Sequence, residues 1–217
     1  MNINYRQQAL DGLTLLLQNK PLPDAFANYL PSAKHLLLQA CRYFFRLELI
    51  LSQFVPKTPK DKTVLAILIL GLCELHILNK PEHAVINEFV NLSKKNKFSS
   101  ASGLINAVLR KSLTQKAAWE EKLQHNLSFK YAHPTWFIER LKHDYPMDWE
   151  RILIANNQHP PMTIRINQSI ISRDEYLETY PLGGKACALS QHGFGLDNPM
   201  DIVDLPGFHE GLVSVQD

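Results

Sequence analysis

Ser32-Ala-Lys-His-Leu-Leu-Leu-Gln-Ala-Cys-Arg-Tyr-Phe-Phe-Arg-Leu-Glu-Leu-Ile-Leu-Ser-Gln-Phe-Val55 carries apolar residues at Leu37, Ala40, Phe44, Leu47, Leu51 and Phe54. Steps of three and four place them on one helical face. Pro31 and Ser32 start this helix and Pro56 stops it, so the spacing predicts one helix over 32–55. The same period continues on both sides. A helix opens near Tyr5–Gln18, and Val64 to Leu78 is apolar except for Gly71, Glu74 and His76, which reads as a buried core helix capped by Asp61 or Thr63. Pro81 opens the next helix, with Val85, Ile86, Phe89 and Val90 inward. Another begins at Ser99, Ser100 or Ser102 with Leu104, Ile105, Val108 and Leu109 inward, and a closing one lies near Gln115–His125. Residues 1–130 therefore read as an all-α bundle of about six helices.

The character changes near Lys130. After helices at His133–Tyr145 and around Trp149, Met162, Ile164 and Ile166 alternate with Thr163, Arg165 and Asn167, the first strand signal in the chain. Ser172-Arg-Asp-Glu175 has the form of a capping box. Gly183-Gly184 turns into a strand-like Lys185–Leu189, and Gly193-Phe-Gly195 reads as a turn. Gly211–Asp217 reads as a strand without a partner, from which the natural chain is expected to continue. The expected organisation is a helical domain over 1–130 and a small, incomplete α/β segment over 131–217.

The 217 residues are 45% apolar and 20% charged, enough for a buried core and unlike a disordered chain. Three cysteines with no C-x-x-C spacing fit a reducing cytoplasm. No signal peptide and no span long enough for a membrane are present in the pattern. The formal charge of +2 hides a division: residues 1–130 hold 17 Lys and Arg against 9 Asp and Glu, whereas 131–217 hold 6 against 12. A basic half suits an anionic partner such as RNA, and an unevenly charged solvated surface explains the same numbers equally well.

Catalytic signals are thin. Glu74, His76 and His83 lack metal-ligand spacing, and the glycines at 183–184 and 193–195 fit neither a Walker loop nor a dinucleotide fingerprint. Binding signals are better. Lys94, Lys95 and Lys97 fall in a helix-to-helix link where they can meet phosphates. Gly103, Asn106 and Arg110 form a strip on one helical face with Lys111 beside them. That strip either presents an arginine to RNA, or permits close helix packing and complements the helix C-terminal dipole. Arg165 and Asn167 share the strand face opposite the apolar residues.

The residues also resemble a known family. Pro81-Glu-His-Ala-Val-Ile-Asn-Glu-Phe-Val-Asn-Leu-Ser-Lys94 followed by Ser102-Gly-Leu-Ile-Asn-Ala-Val-Leu-Arg110 is similar to NusB-like RNA-binding helical domains. His133-Pro-Thr-Trp136, Ala155-Asn-Asn-Gln-His-Pro-Pro-Met-Thr-Ile-Arg-Ile-Asn167, Leu205-Pro-Gly-Phe208 and Gly211-Leu-Val-Ser-Val-Gln-Asp217 resemble, in order, the N-terminal half of the small-subunit ribosomal RNA methyltransferase B (Sun/Fmu) family. The resemblance implies a parent enzyme that moves a methyl group from S-adenosylmethionine to C5 of a cytosine in 16S rRNA. It places the catalytic cysteines and a Rossmann-like cofactor domain beyond Asp217. This chain is then expected to bind no cofactor, to be inactive alone, and to partner 16S rRNA and its own catalytic domain. The competing reading is a stand-alone NusB-type antitermination factor, which should end soon after the bundle.

Overall fold

The computed structural model describes residues 4–216. It contains two compact units that divide between Asn157 and Gln158.

The first unit is helical: α1 (Tyr5–Leu17), α2 (Pro31–Arg42), α3 (Phe44–Ser52), α4 (Lys62–His76), α5 (Glu82–Lys95), α6 (Ser102–Thr114), α7 (Lys116–Leu123), α8 (Leu127–Tyr131), α9 (Thr135–Asp144) and α10 (Trp149–Asn157). Asp61 caps α4, its Oδ1 accepting from the backbone N–H of Thr63 at 2.8 Å and of Val64 at 3.2 Å. Every residue from Val64 to Leu75 is buried, because α1, α2, α3, α5 and α6 all pack on this central helix. No helix is long and apolar enough to cross a membrane among the described residues.

The helix expected over 32–55 is two helices. Tyr43 ends α2 at φ −101°, ψ 16°, and α3 starts at the next residue in a new direction, packing on α8 as well as α4. No glycine or proline marks the break, and Leu37, Ala40, Leu47 and Leu51 stay buried on both sides of it, so periodicity does not reveal it. Arg46, in the first turn of α3, shows what the break achieves. Its guanidinium lies over the rings of Tyr43 and Phe129 and donates to the Phe129 carbonyl at 2.7 Å and the Lys130 carbonyl at 2.5 Å, closing the C-terminus of α8. Leu104, expected inward, is 42% exposed, since the inward face of α6 is filled by Ile105, Val108 and Leu109.

Helices α8–α10 belong to the helical unit but have a small core of their own, made of Tyr131, Ile138, Leu141 and Leu153. The His133-Pro134 motif positions their chain. Ala132 is left-handed at φ 57°, the His133 ring stacks on Phe137 with Nδ1 2.6 Å from the Tyr131 carbonyl, and Asn157 donates to that same carbonyl at 2.7 Å.

The second unit is one antiparallel sheet of β1 (Met162–Ile166), β2 (Gly184–Ala186), β3 (Gly193–Leu196) and β4 (Val213–Gln216), in the order β2-β3-β1-β4, with α11 (Arg173–Thr179) after β1. The capping box at Ser172 and Glu175 is present. Ile164, Ile166, Phe194, Leu196 and Val213 pack on one side with Tyr176 and Leu205. Three expectations change here. The Gly193–Gly195 turn is the inner strand β3, the β2 strand stops at Ala186, and the C-terminal strand has a partner, since Ile166 pairs with Val213 and Thr163 with Gln216. Glycine at 184 is required by close approach: a Cβ there would come 2.2 Å from the Gly195 carbonyl oxygen.

Candidate nucleic-acid interface

The cationic candidates fall in three places. Lys94 and Lys95 form the last turn of α5, Asn96 caps it, and Lys97 is left-handed at φ 68°. Phe98 donates to the Ser93 carbonyl at 2.8 Å and Lys97 to the Lys94 carbonyl at 3.2 Å, the paired bonds of a Schellman ending. This ending is fixed to the N-terminal helix. The Asn96 and Gln7 side-chain amides exchange hydrogen bonds of 2.8 and 3.1 Å, and Asn96 also donates to the Leu92 carbonyl. The lysines are thus exposed on rigid backbone, and not in the open link expected.

Arg110 and Lys111 lie elsewhere. They are eight and nine residues along α6 from Ser102, so at 1.5 Å per residue they sit roughly 12 Å from the end of α6 that adjoins the lysines. A Cβ at Gly103 would meet nothing within 4 Å, so this glycine permits no close helix packing. Arg110 Nε donates to Asn106 Oδ1 at 3.1 Å, one turn towards the helix N-terminus and away from the C-terminal carbonyls. The geometry therefore favours an outward-facing, pre-ordered arginine over a dipole-capping one.

The third place is the open face of the sheet. Register puts Lys185, Gly195, Thr163 and Gln216 in one row and Gly193, Arg165 and Ser214 in the next. Arg165 is exposed and makes no hydrogen bond or ion pair among the described residues; it borders a hollow of about 320 Å³ with Asn167, Gly211, Val213 and Ser214. Asn167 has its amide committed, donating to the Gly211 carbonyl at 3.1 Å and accepting from Ser169 Oγ at 2.6 Å, so it braces the hollow's wall. Residues 158–217 hold only three cations, Arg165, Arg173 and Lys185, against eight acids. Two of those cations stand on the open face, while Asp174, Glu175 and Glu178 are on α11. Lys185 was missed in the sequence because the pairing that aligns it with Arg165 runs through β3, which reads as a turn.

Other titratable groups are structural. Glu74 is fully buried and fully paired: Tyr5 OH donates to Oε1 at 2.7 Å, Arg6 Nε to both oxygens at 3.1 and 3.0 Å, and Arg6 Nη2 to Oε2 at 2.8 Å. Burial, followed by the hydrogen bond to Glu74, pushes the Tyr5 phenol well above its ordinary range. His76 Nε2 lies 2.9 Å from Ser112 Oγ, whose proton goes to the Leu109 carbonyl, so Nε2 is the donor. Its edge meets Trp119, and burial, with Lys116 nearby, lowers its pKa to about 4. No group of three His, Cys, Asp or Glu able to hold a metal occurs among the described residues.

Residues 4–114 match the NusB family, and residues 133–203 match the Methyltr_RsmF/B-like, ferredoxin-like domain. The ribosomal RNA small subunit methyltransferase B of Pseudomonas syringae pv. tomato is 43% identical over 165 residues, 75% of this chain and 37% of that protein. The protein of that name from Proteus mirabilis is 36% identical over 220 residues, 97% of this chain and 51% of that protein. A probable one from Coxiella burnetii is 36% identical over 181 residues, 81% of this chain and 42% of that protein. The chain thus spans about half or less of the length of these relatives. Among solved structures, the crystal structure of PH0851 superposes with a TM-score of 0.66 at 15% identity, over 100% of this chain and 54% of that one, a likeness of fold.

Proposed function

The chain belongs to the NusB family through residues 4–114 and carries an RsmF/B-like ferredoxin-like domain after it, and on that premise we propose that it is the RNA-docking part of an S-adenosylmethionine-dependent 16S rRNA cytosine-C5 methyltransferase. The observation that carries this reading is the placement of cations without an ion pair among the described residues on outward surfaces of each unit: Lys94, Lys95 and Lys97 on the Schellman ending, Arg110 on α6, and Arg165 with Lys185 on the open sheet face. Phosphate contacts of this kind position an enzyme on RNA without reading its sequence.

The cofactor does not fit the residues described. S-adenosylmethionine and dinucleotide folds hold their ligands at glycine-rich turns from parallel strands into helices. Here Gly184, Gly193 and Gly195 are positions within an antiparallel sheet. The cofactor and the methyl transfer are assigned to the remaining length of the parent enzyme. A stand-alone antitermination factor is disfavoured by the ferredoxin-like match over 133–203.

The test is binding of a fluorescein-labelled 16S rRNA fragment as salt is raised. Each neutralised phosphate of a single strand contributes a log–log slope of roughly −0.7, so three to five contacts give about −2 to −3.5. Arg110→Ala should shallow the slope by about one contact and weaken unrelated RNA sequences similarly. An unchanged slope in a folded Arg110→Ala variant removes Arg110 from the interface, and no measurable binding removes the docking role.

A further inference from the structure

Beside the lysines of the Schellman ending lies a hollow of about 420 Å³ lined by Asp11, Thr14, Leu15, Thr63, Asn96 and Phe98. We infer that it seats one unstacked nucleobase whose exocyclic amine adjoins an acceptor ring nitrogen on the Watson–Crick edge, adenine or cytosine, with the flanking phosphates held by Lys62, Lys94 and Lys97. The inference rests on the RNA-binding reading and adds base preference to it. Its volume is in the roughly 300–1,000 Å³ range of small-molecule sites.

Thr14 provides the first reason. Its Oγ1 is buried and has no hydrogen-bond partner among the described residues. A helical threonine ordinarily bonds the carbonyl one turn back, and a buried polar atom left without a partner calls for an explanation. A ring nitrogen of a base gives it one. Asp11 lies one turn before Thr14 on the same helix face. Its Oδ1 accepts from Gln7 Nε2 at 2.8 Å, and it forms no salt bridge among the described residues. Asp11 is exposed at the rim of the hollow, and loss of part of its hydration raises its carboxyl pKa. A carboxylate is an acceptor only, so it takes an amino hydrogen and is ill matched to the O4 of uracil.

The walls are rigid where a base would need them. Asn96 is held by Gln7 and by the Leu92 carbonyl. Phe98 follows it, half-buried against the bundle core and lining the hollow, an aromatic of the kind on which single-stranded RNA sites stack bases. Lys62 adjoins Thr63 and Lys97 adjoins both Asn96 and Phe98; Lys62, Lys94 and Lys97 are exposed and carry no ion pair among the described residues.

The experiment titrates the chain with fluorescein-labelled r(A)12, r(C)12 and r(U)12 at one salt concentration. The unaltered chain should bind r(A)12 and r(C)12 about 10-fold more tightly than r(U)12. Asp11→Asn, whose amide also donates, should reduce that preference to about 2-fold. Thr14→Val, of nearly the same shape, should weaken r(A)12 and r(C)12 about 5-fold while leaving Tm level or raised, because the partnerless hydroxyl is gone. Lys97→Ala should weaken all three equally. Binding with no base preference, or a preference untouched by Asp11→Asn and Thr14→Val, overturns the base seat and leaves RNA docking standing. Failure of the unaltered chain to bind any oligonucleotide overturns docking, and the seat with it.

Discussion

Near the C-terminal ends of α4 and β1 one charged residue sits among apolar neighbours, and the two units dispose of that charge in opposite ways. Glu74 in the helical unit is fully buried, with both carboxylate oxygens held by donors from Tyr5 and Arg6. Arg165 in the sheet unit stands exposed with no partner among the described residues. The reason is coverage. Helices close around α4 on all sides, so a carboxylate there survives only with its charge compensated. β1 is covered on one face only, and alternation sends Arg165 to the other. An uncompensated charge therefore marks a surface available to a ligand, and a compensated one marks a joint in the fold.

The largest expected effect breaks the joint. Glu74→Ala leaves Arg6 beside Phe89 with only the longer contact to Glu88, at 3.9 Å, and should cost about 3 kcal/mol. It should detach the N-terminal helix from α4, seen as lost amide protection over residues 5–17. Ile164→Ala is the counterpart in the sheet, where a much smaller core should lose about 2–4 kcal/mol and the strands should exchange first. If Glu74→Ala costs less than Ile164→Ala, the ion pair is incidental to the joint.

A smaller effect comes with acid. The folded pKa of His76, about 4, lies below its ordinary value, so the unfolded chain binds the extra proton first as pH falls. Stability contributed by the neutral ring is present above about pH 6.5 and is lost between there and pH 4. Allowing for partial exposure, the loss is about 2 kcal/mol. His76→Gln should flatten denaturation midpoints across that window; a midpoint profile of unchanged slope refutes the assignment.

The smallest effect sharpens the distinction between joint and surface. Lys97 holds a left-handed backbone that glycine adopts without strain. Lys97→Gly should raise stability by about 0.5 kcal/mol while weakening RNA binding by one phosphate contact. A residue kept at a conformational cost and needed for binding would move the two readouts in opposite directions.

Much of the helical unit was legible because a covered helix announces itself through period and caps. Val64–Leu78 gave the central helix, Asp61 its cap, and Val85, Ile86 and Phe89 the buried face of α5. The cation sites were legible as residue types only. Lys94, Lys95 and Lys97 read as an open link, whereas they stand on the fixed ending of α5. Lys185 read only as the start of a strand, and Asp11 and Thr14 look like ordinary residues of an amphipathic first helix.

By itself the sequence determined what local spacing and backbone chemistry control: the helical bundle, the α4 cap, the capping box at Ser172 and the alternation of β1. Tertiary structure alone decided the break at Tyr43, the pairing of β4 with β1, the strand at Gly193–Leu196 and the fate of each charge. Those depend on which distant residue arrives alongside, as Arg6 does at Glu74 across 68 positions of chain. Periodicity is a property of neighbours in sequence, whereas burial and pairing are properties of neighbours in space.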